Sequence, residues 1–406
     1  MTSRERVLTA LRHEEPDRVP IDFGSTRVTG IMAVAYKKLK DYLGIKSGTV
    51  KLYDLMQQLA FPESEVVERL GGDVVQIIRL RPFANIKIDK WKTGKLSDGT
   101  LCEVPADFNP VKTEDGTYEI REDSIVIARK PPSAYYFELS HFPLKNVSTY
   151  QEIDDFLYPE LTDEEQNFVT EQAKYWHKKT DYAVMGTFGT TFYEQGAQKV
   201  FGFQTFMENL VLKRDLMEYW LDKQMESTIK FLDKYFDAIG DYIHIIQFNE
   251  DLGSQNGLQI SPTLFREIFK PRFARLFQFV KGKKKDVFIF LHSCGSIRDI
   301  IPDLIDVGVD VLNPVQTSAK GMNPVELKKE YGKYLSFWGG GIETQTVLPF
   351  GTIDEVKKQV IERLKIFAPG GGYIFNQIHN IQADVPPKNI VTMFETALKY
   401  GRYLKS

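Results

Sequence analysis

The sequence predicts an α/β protein built as a (β/α)₈ TIM barrel. Three observations predict it. From residue 182 onward, short apolar runs alternate with helical patterns, at 182–187, 242–248, 287–291, 309–312, 334–338 and 373–375, and strands alternating with helices specify a parallel sheet. Two earlier runs, 19–23 and 74–80, bring the strand positions to the eight that a barrel requires. Most of these runs also end in a polar or glycine-rich segment, the pattern expected where loops build a site at the C-terminal mouth of a barrel. A doubly wound open sheet is the alternative arrangement of the same elements.

The elements follow in order. Thr2 and Glu5 have the spacing of a capping box, and the helix they open buries Val7, Leu8 and Leu11. Helical patterns come next at 31–44 and 50–70, and Gly71-Gly72 stops the second before the 74–80 strand. The rhythm breaks at 84–135. This stretch carries the turn signals Asp98-Gly99-Thr100 and Asp115-Gly116-Thr117, with half-exposed strands at 86–89 and 125–128. We read it as an antiparallel β insertion covering one mouth of a single domain that spans 1–406, with Pro131-Pro132-Ser133 as its exit. Farther on, Ser261-Pro262 opens a helix that Pro271 should kink or split. Thr352 and Glu355 form another capping box, and Pro386-Pro387 starts the last helix.

Composition excludes several classes of function. The 406 residues are 42% hydrophobic and 26% charged with a net charge of -3, as in ordinary globular proteins and with no electrostatic case for nucleic acid. The basic run at 281–285 reads as a solvated loop. No apolar run approaches the ~20 residues of a membrane span. The N-terminal segment is amphipathic rather than a secretory signal, so a cytoplasmic location is expected. With only two cysteines, far apart, Cys102 and Cys294 are expected as reduced thiols. Aromatic residues reach 13%, including 28 Phe and 19 Tyr, which serves either an aromatic-rich core or an aromatic-lined cavity.

The strand ends carry the chemistry. His292-Ser293-Cys294-Gly295 follows the 287–291 run and offers an imidazole and a thiolate, both preferred zinc ligands. There are only six His in the chain, so the pairing does not come from abundance. His379, after the last strand, is the candidate third ligand. In the alternative, His379 hydrogen-bonds within the site and Cys294 is a small buried residue. Glu250 and Asp251 are the candidate catalytic acids, available to complete a coordination shell or manage a proton; an acidic turn that caps a loop is the competing reading. Phe188, Tyr193, Asn249, Gln316, Trp338 and Asn376 lie on the same set of loops and are the candidate substrate-binding residues. Gly339-Gly340-Gly341 and Gly370-Gly371-Gly372 match no phosphate-binding fingerprint and read as tight loops. His13, His141, His177 and His244 have no partner at a useful spacing.

These segments resemble the uroporphyrinogen decarboxylase superfamily, which also contains corrinoid-linked methyltransferases. The resemblance rests on three segments: Gly186 to Phe192; Phe248-Asn249-Glu250-Asp251-Leu252-Gly253 with Leu258 to Pro262; and Ile374 to His379 with Pro386 to Ile390. It implies a TIM barrel. It points to the zinc-dependent methyltransferase branch, because true decarboxylases carry an Arg-rich N-terminal motif where this chain has Ile21-Asp22-Phe23-Gly24-Ser25-Thr26-Arg27, with one Arg, and they lack the His-x-Cys-Gly pair. In that branch zinc is held by H-x-C…C, and here His379 stands where the third ligand is a Cys. An imidazole in place of a thiolate leaves a more Lewis-acidic metal.

The resemblance therefore implies Zn²⁺ on His292, Cys294 and His379, and methyl transfer between a corrinoid protein and a small molecule. That molecule would be a donor such as a methoxylated aromatic compound, or a thiol or folate acceptor. Nothing in the chain resembles a cobalamin-binding D-x-H-x-x-G module, so the corrinoid would arrive on a separate partner; a homodimer is compatible with this reading. Two other readings stay open. One is a metal-independent decarboxylase of a small carboxylic acid using Asp251 and His379; the other is a non-catalytic corrinoid- or tetrapyrrole-binding protein.

Overall fold

A computed structural model describes residues 1–96 and 98–403; Ser97, inside the predicted insertion, and residues 404–406 lie outside the described residues. Seven parallel strands form one curled sheet in the order Tyr373–Ile374, Ser336–Trp338, Val311–Asn313, Phe288–His292, Ile245–Asn249, Ala183–Thr190 and Val74–Ile77. The eighth position belongs to residues 20–22, which close the sheet on both sides. Ile21 pairs in parallel with Phe375. Phe375 N donates to Pro20 O (2.8 Å), Asp22 N donates to Phe375 O (2.9 Å), and Asp73 N donates to Ile21 O (2.7 Å). All eight predicted strand positions are thus used, each a few residues shorter or shifted. The 19–23 run is held by these bonds rather than as a full strand.

The barrel interior is a separate apolar cluster of Val74, Ala183, Met185, Ile245, Phe290, Val311, Trp338 and Ile374, completed by Val7 and Leu11 of the helix Ser3–Leu11. The Thr2–Glu5 capping box forms as expected, and this helix seals the N-terminal mouth. A buried ion network ties it down. Asp73, fully buried, accepts from Arg6 Nη1 (2.7 Å), Arg18 Nη1 (2.7 Å) and Nη2 (3.0 Å), Ser3 Oγ (2.8 Å) and Ile21 N (2.8 Å).

Three sequence expectations need correction. The 50–70 pattern is not one helix: Leu52–Asp54 and Leu59–Ala60 pair as an antiparallel hairpin, and only Ser64–Arg69 is helical. The reversal is local chemistry, since Asp54 Oδ1 accepts from Gln57 N (2.7 Å) and Gln58 takes φ +57°. The 86–89 segment makes only an isolated bridge, Phe83 to Ile86, and the strand falls instead at Trp91–Lys95, paired with Leu101–Pro105. The β-rich region also runs past 135, because Glu138–Leu139 adds the fourth strand to Val111–Lys112, Tyr118–Glu122 and Ile125–Lys130. Phe137 N donates to Met56 O (2.8 Å), Glu103 N donates to Val50 O (2.8 Å), and Gln382 Nε2 bonds to Tyr136 Oη. These contacts seat the β region on the hairpin and on the loop after the last strand, at the C-terminal mouth. Pro271 behaves as expected: a π turn, Phe265–Phe269, precedes the helix Lys270–Lys283, so the missing N–H falls at the change of register.

His244 sets a pH dependence of folding. Its Nδ1 accepts from Val184 N (3.1 Å), and its ring stacks on His177 at 5.4 Å. Burial, then the nearby Arg4 charge, lowers its pKa to about 3. Between that value and the ordinary ~6.5 the unfolded chain takes up a proton that the folded chain refuses, so stability falls as pH drops through this window. The loss from this one group should reach about 2 kcal/mol at about pH 5. His244→Asn, which keeps an acceptor facing Val184, should flatten the pH dependence of denaturation between about pH 6.5 and 5 relative to the parent. An unchanged slope would show that His244 is not the source.

Candidate metal centre at the C-terminal mouth

Two residues above the apolar interior the inward faces turn polar. The strand register places Asn249 beside His292, and His292 beside Asn313, each an even number of residues on from the interior residue of its strand (Ile245, Phe290 and Val311) and so on the same face. All three are buried. His292, Cys294 and His379 converge here, with their ligand atoms all within 4.8 Å of one another. Cys294 Sγ is 3.3 Å from His292 Nε2, and the two histidine rings are 5.8 Å apart.

The ring of His292 is fixed from behind. Asn313 Nδ2 donates to Trp338 O (2.8 Å), which leaves Asn313 Oδ1 as an acceptor facing His292 Nδ1. Nδ1 therefore carries the proton, and the Nε2 lone pair faces Cys294. An outer partner that sets the tautomer is the usual support of a metal-binding imidazole.

The loop that carries Cys294 is zipped to its neighbour. Glu250 N donates to His292 O (2.8 Å), Leu252 N to Ser293 Oγ (3.1 Å), and Cys294 N to Asp251 Oδ1 (2.9 Å). Gly295 has φ +83°, and a Cβ there would lie 2.6 Å from the Gly253 carbonyl carbon and the Ser254 oxygen. The close approach of these two loops explains the glycine after Cys294. His379 has φ +86°, a sparsely populated region for a side-chain-bearing residue.

Burial sets the protonation of the trio. It pushes the Cys294 thiol well above its ordinary value and lowers His292. It also lowers His379 to about 4, with the His292 ring adding to the effect. Without a metal the group is two neutral imidazoles and a thiol, so binding a cation here would release the thiol proton.

The candidate acids separate. Asp251 Oδ1 lies 3.6 Å from His292 Nε2, against the trio. Glu250 is fully buried and its oxygens are engaged elsewhere: they accept from Thr191 N (3.1 Å), Glu194 N (2.8 Å), Phe192 N and the Thr191 hydroxyl. It organises the loop after the 183–190 strand.

The candidate substrate-binding residues separate as well. Phe188 packs against Phe231 and Phe248, between the barrel and the helix Arg214–Ile239. Tyr193 is buried against Phe206 and Phe269, and its hydroxyl meets Gln259 Oε1 (3.1 Å), whose Nε2 holds the carbonyls of Asp251 and Gly253. Gln316 Oε1 accepts from Gly295 N (2.8 Å) and so braces the Cys294 loop. Trp338 belongs to the barrel interior, its indole donating to Asp22 Oδ2 (2.8 Å). Asn249 pairs with Gln247. Asn376 is fully buried, and neither atom of its amide has a partner among the described residues.

Several residues of the mouth were not among the candidate site residues, although the turn after the 183–190 strand put Glu194 near the mouth. Asn313 had the signal of its strand-end position. Glu194 is buried, and its Oε2 faces Asp251 N (3.3 Å); burial and repulsion from Asp251 raise its pKa to about 8. Lys199, in the π-helical turn Gln195–Val200 that follows Glu194, and Arg27, in the short turn Arg27–Thr29, carry charge toward the same region. No periodicity marks any of these three.

A barrel whose C-terminal mouth gathers a buried His with a half-buried Cys and His defines a class of TIM-barrel proteins with a candidate metal site. Residues 144–400 match the uroporphyrinogen decarboxylase (URO-D) family, and the chain belongs to it. A methylcobamide:CoM methyltransferase, MtaA, of Methanosarcina barkeri is 27% identical over 200 residues, 48% of this chain and 54% of that protein. A uroporphyrinogen decarboxylase of Chlorobium limicola is 25% identical over 258 residues, 60% of this chain and 68% of its own length. This chain thus spans about half the length of the first of these relatives. A solved methyltransferase structure from Methanosarcina mazei shares the fold at a TM-score of 0.62 and 18% identity, covering 98% of this chain and 99% of that one. Among the described residues, no helix is long and apolar enough to cross a membrane.

Proposed function

We propose that this chain is a zinc-dependent methyltransferase that moves a methyl group between a small molecule and a corrinoid carried by a separate protein. The observation that carries the reading is the convergence of His292, Cys294 and His379, with Asn313 holding the His292 lone pair toward Cys294. Similarity to a methylcobamide-dependent methyltransferase supports the corrinoid half.

The residues present fit zinc: two nitrogens and a sulfur are its preferred donors, and three protein ligands leave a position for substrate. When bound, zinc would supply Lewis-acid polarisation of the heteroatom that carries or receives the methyl group. The protein supplies the rest. Asn313 fixes the His292 tautomer, and the paired loops hold Cys294 still. Asp251, rather than Glu250, is the group we assign to complete the shell or to take up the proton that the Cys294 thiol or the acceptor gives up. Glu250 positions the loop that carries Glu194. The buried floor, with Trp338 and Phe290, keeps water from below.

The test is metal content with methyl transfer. Purified protein should contain close to one zinc per chain and should form methylcobalamin from cob(I)alamin and a member of a methyl-donor panel, or run the reverse transfer to a thiol. A fully active protein that binds no metal would sink the proposal in favour of metal-independent chemistry.

A further inference from the structure

The chain contains one Asn-Gly pair, Asn256-Gly257, on the loop that follows the Ile245–Asn249 strand at the C-terminal mouth. Asn-Gly is a turn signal. It is also a place where a chain can attack itself, because asparagine is chemically labile and glycine has no Cβ to shield its nitrogen. The outcome depends on what the local fold does with that nitrogen. The two Asp-Gly turns of the β region show a protected case: Gly99 N donates to Leu96 O (3.0 Å) and Gly116 N to Thr113 O (3.0 Å), each closing its turn.

At Asn256-Gly257 the equivalent bond would run from Gly257 N to Ser254 O. That carbonyl instead accepts from Ser296 N (2.8 Å), on the loop that carries Cys294. The turn is held by the opposite bond, Ser254 N to Gly257 O (2.7 Å), with the Ser254 hydroxyl donating to the same oxygen (2.8 Å). Gly257 N is left without a partner among the described residues, and Asn256 is exposed. Nor does the fold require a glycine here. Gly99 and Gly116 have φ +84° and +86°, whereas Gly257 lies outside the left-handed region, and a Cβ at 257 would meet nothing within 4 Å.

We infer that Asn256-Gly257 is a self-modification site whose product slackens the brace on the Cys294 loop. Gly257 N gives up its proton and bonds to Asn256 Cγ; the bond from Cγ to the side-chain amide nitrogen breaks, and that nitrogen leaves with the proton as ammonia. Water then opens the cyclic imide. Opening at Cγ leaves aspartate. Opening at the main-chain carbon leaves isoaspartate, with one extra methylene in the backbone and a new carboxylate. The turn that is stretched is the one that clasps the metal loop. Besides the bond from Ser296 N to Ser254 O, Gln255 O accepts from Lys320 N (3.0 Å), and Gln255 Oε1 accepts from Gln316 Nε2 (2.7 Å). The same Gln316 side chain braces Gly295 N. The modification stands apart from the proposed function; its effect on zinc rests on that reading.

The test ages the full chain in mildly alkaline buffer at physiological temperature and maps its peptides by mass. Asn256 should gain one mass unit before any other asparagine does, with isoaspartate among the products. Gly257→Ala, native by circular dichroism, should convert several-fold more slowly, and Asn256→Gln should not convert on that timescale. The aged parent should hold zinc about 10-fold more weakly than the fresh protein, the scale of losing an outer support of a ligand, while aged Gly257→Ala should match its fresh form. Conversion at Asn256 no faster than at other asparagines, or unchanged in Gly257→Ala, would overturn the site. Conversion with unchanged zinc affinity would overturn the effect on the brace. If the fresh chain binds no zinc, the proposed function fails, and the mass shift still decides the site.

Discussion

Cys294→Ala is expected to lose stoichiometric zinc and, with it, methyl transfer. The thiol is the only group of the trio that becomes anionic on binding, so it supplies most of the ligand charge. Removing an outer hydrogen-bond partner of a ligand commonly costs 10–100-fold in metal affinity, so removing a ligand should cost at least roughly 100-fold. Asn313→Ala makes a graded comparison. It leaves all three ligands in place but frees the His292 ring to rotate or change tautomer, and should weaken zinc by about 10–100-fold. Competition with a chromogenic chelator measures both, and circular dichroism reports whether the barrel is intact. Zinc retained by Cys294→Ala with parental affinity would remove the trio as the metal site. An effect of Asn313→Ala as large as that of Cys294→Ala would mean that the asparagine holds the fold rather than the ligand.

Asp73→Ala should cost the largest share of stability of any single change. Asp73 is fully buried and accepts five hydrogen bonds, three of them from the guanidinium groups of Arg6 and Arg18. Arg18 and Arg6 remain largely covered, with side-chain exposures of 18% and 10%. Removing the carboxylate would strand the Arg18 charge, leave Arg6 with Asp17 alone, and free the backbone at Ile21, where the barrel closes. Breaking a buried pair from one side typically costs about 3–5 kcal/mol. Urea denaturation of the purified variant measures it; a loss below about 1 kcal/mol would put the network in the class of weak surface pairs.

How much of this was legible in the sequence depended on which physical signal each feature leaves. Strands buried on both faces read as apolar runs, so the barrel and its polar strand ends could be read directly. His292, Cys294 and His379 stood out as scarce residue types at those ends. Side-chain direction beyond the last ladder bond was not legible. The register shifts between Thr187 and Gly189, so Phe188 packs outward against Phe231 although it sits on a mouth loop. The pair Glu250-Asp251 shows the same limit. Adjacent residues on a turn point apart, one into the Thr191–Glu194 backbone and the other at His292. At 50–70, Leu52, Leu55 and Leu59 mimic a helical spacing, and an Asp54-centred turn overrides it. Asn313 acts through His292 and Trp338 on the neighbouring strands, and such pairings exist only once the barrel closes.

The plug made by Val7 and Leu11 has a consequence for traffic. With the N-terminal mouth packed shut, the doorway left among the described residues is the C-terminal mouth. On the proposed reaction, the small substrate and the corrinoid of the carrier protein must both reach the metal through it. They would then have to take turns, one methyl group in and one out, with the barrel serving as a cul-de-sac rather than a corridor.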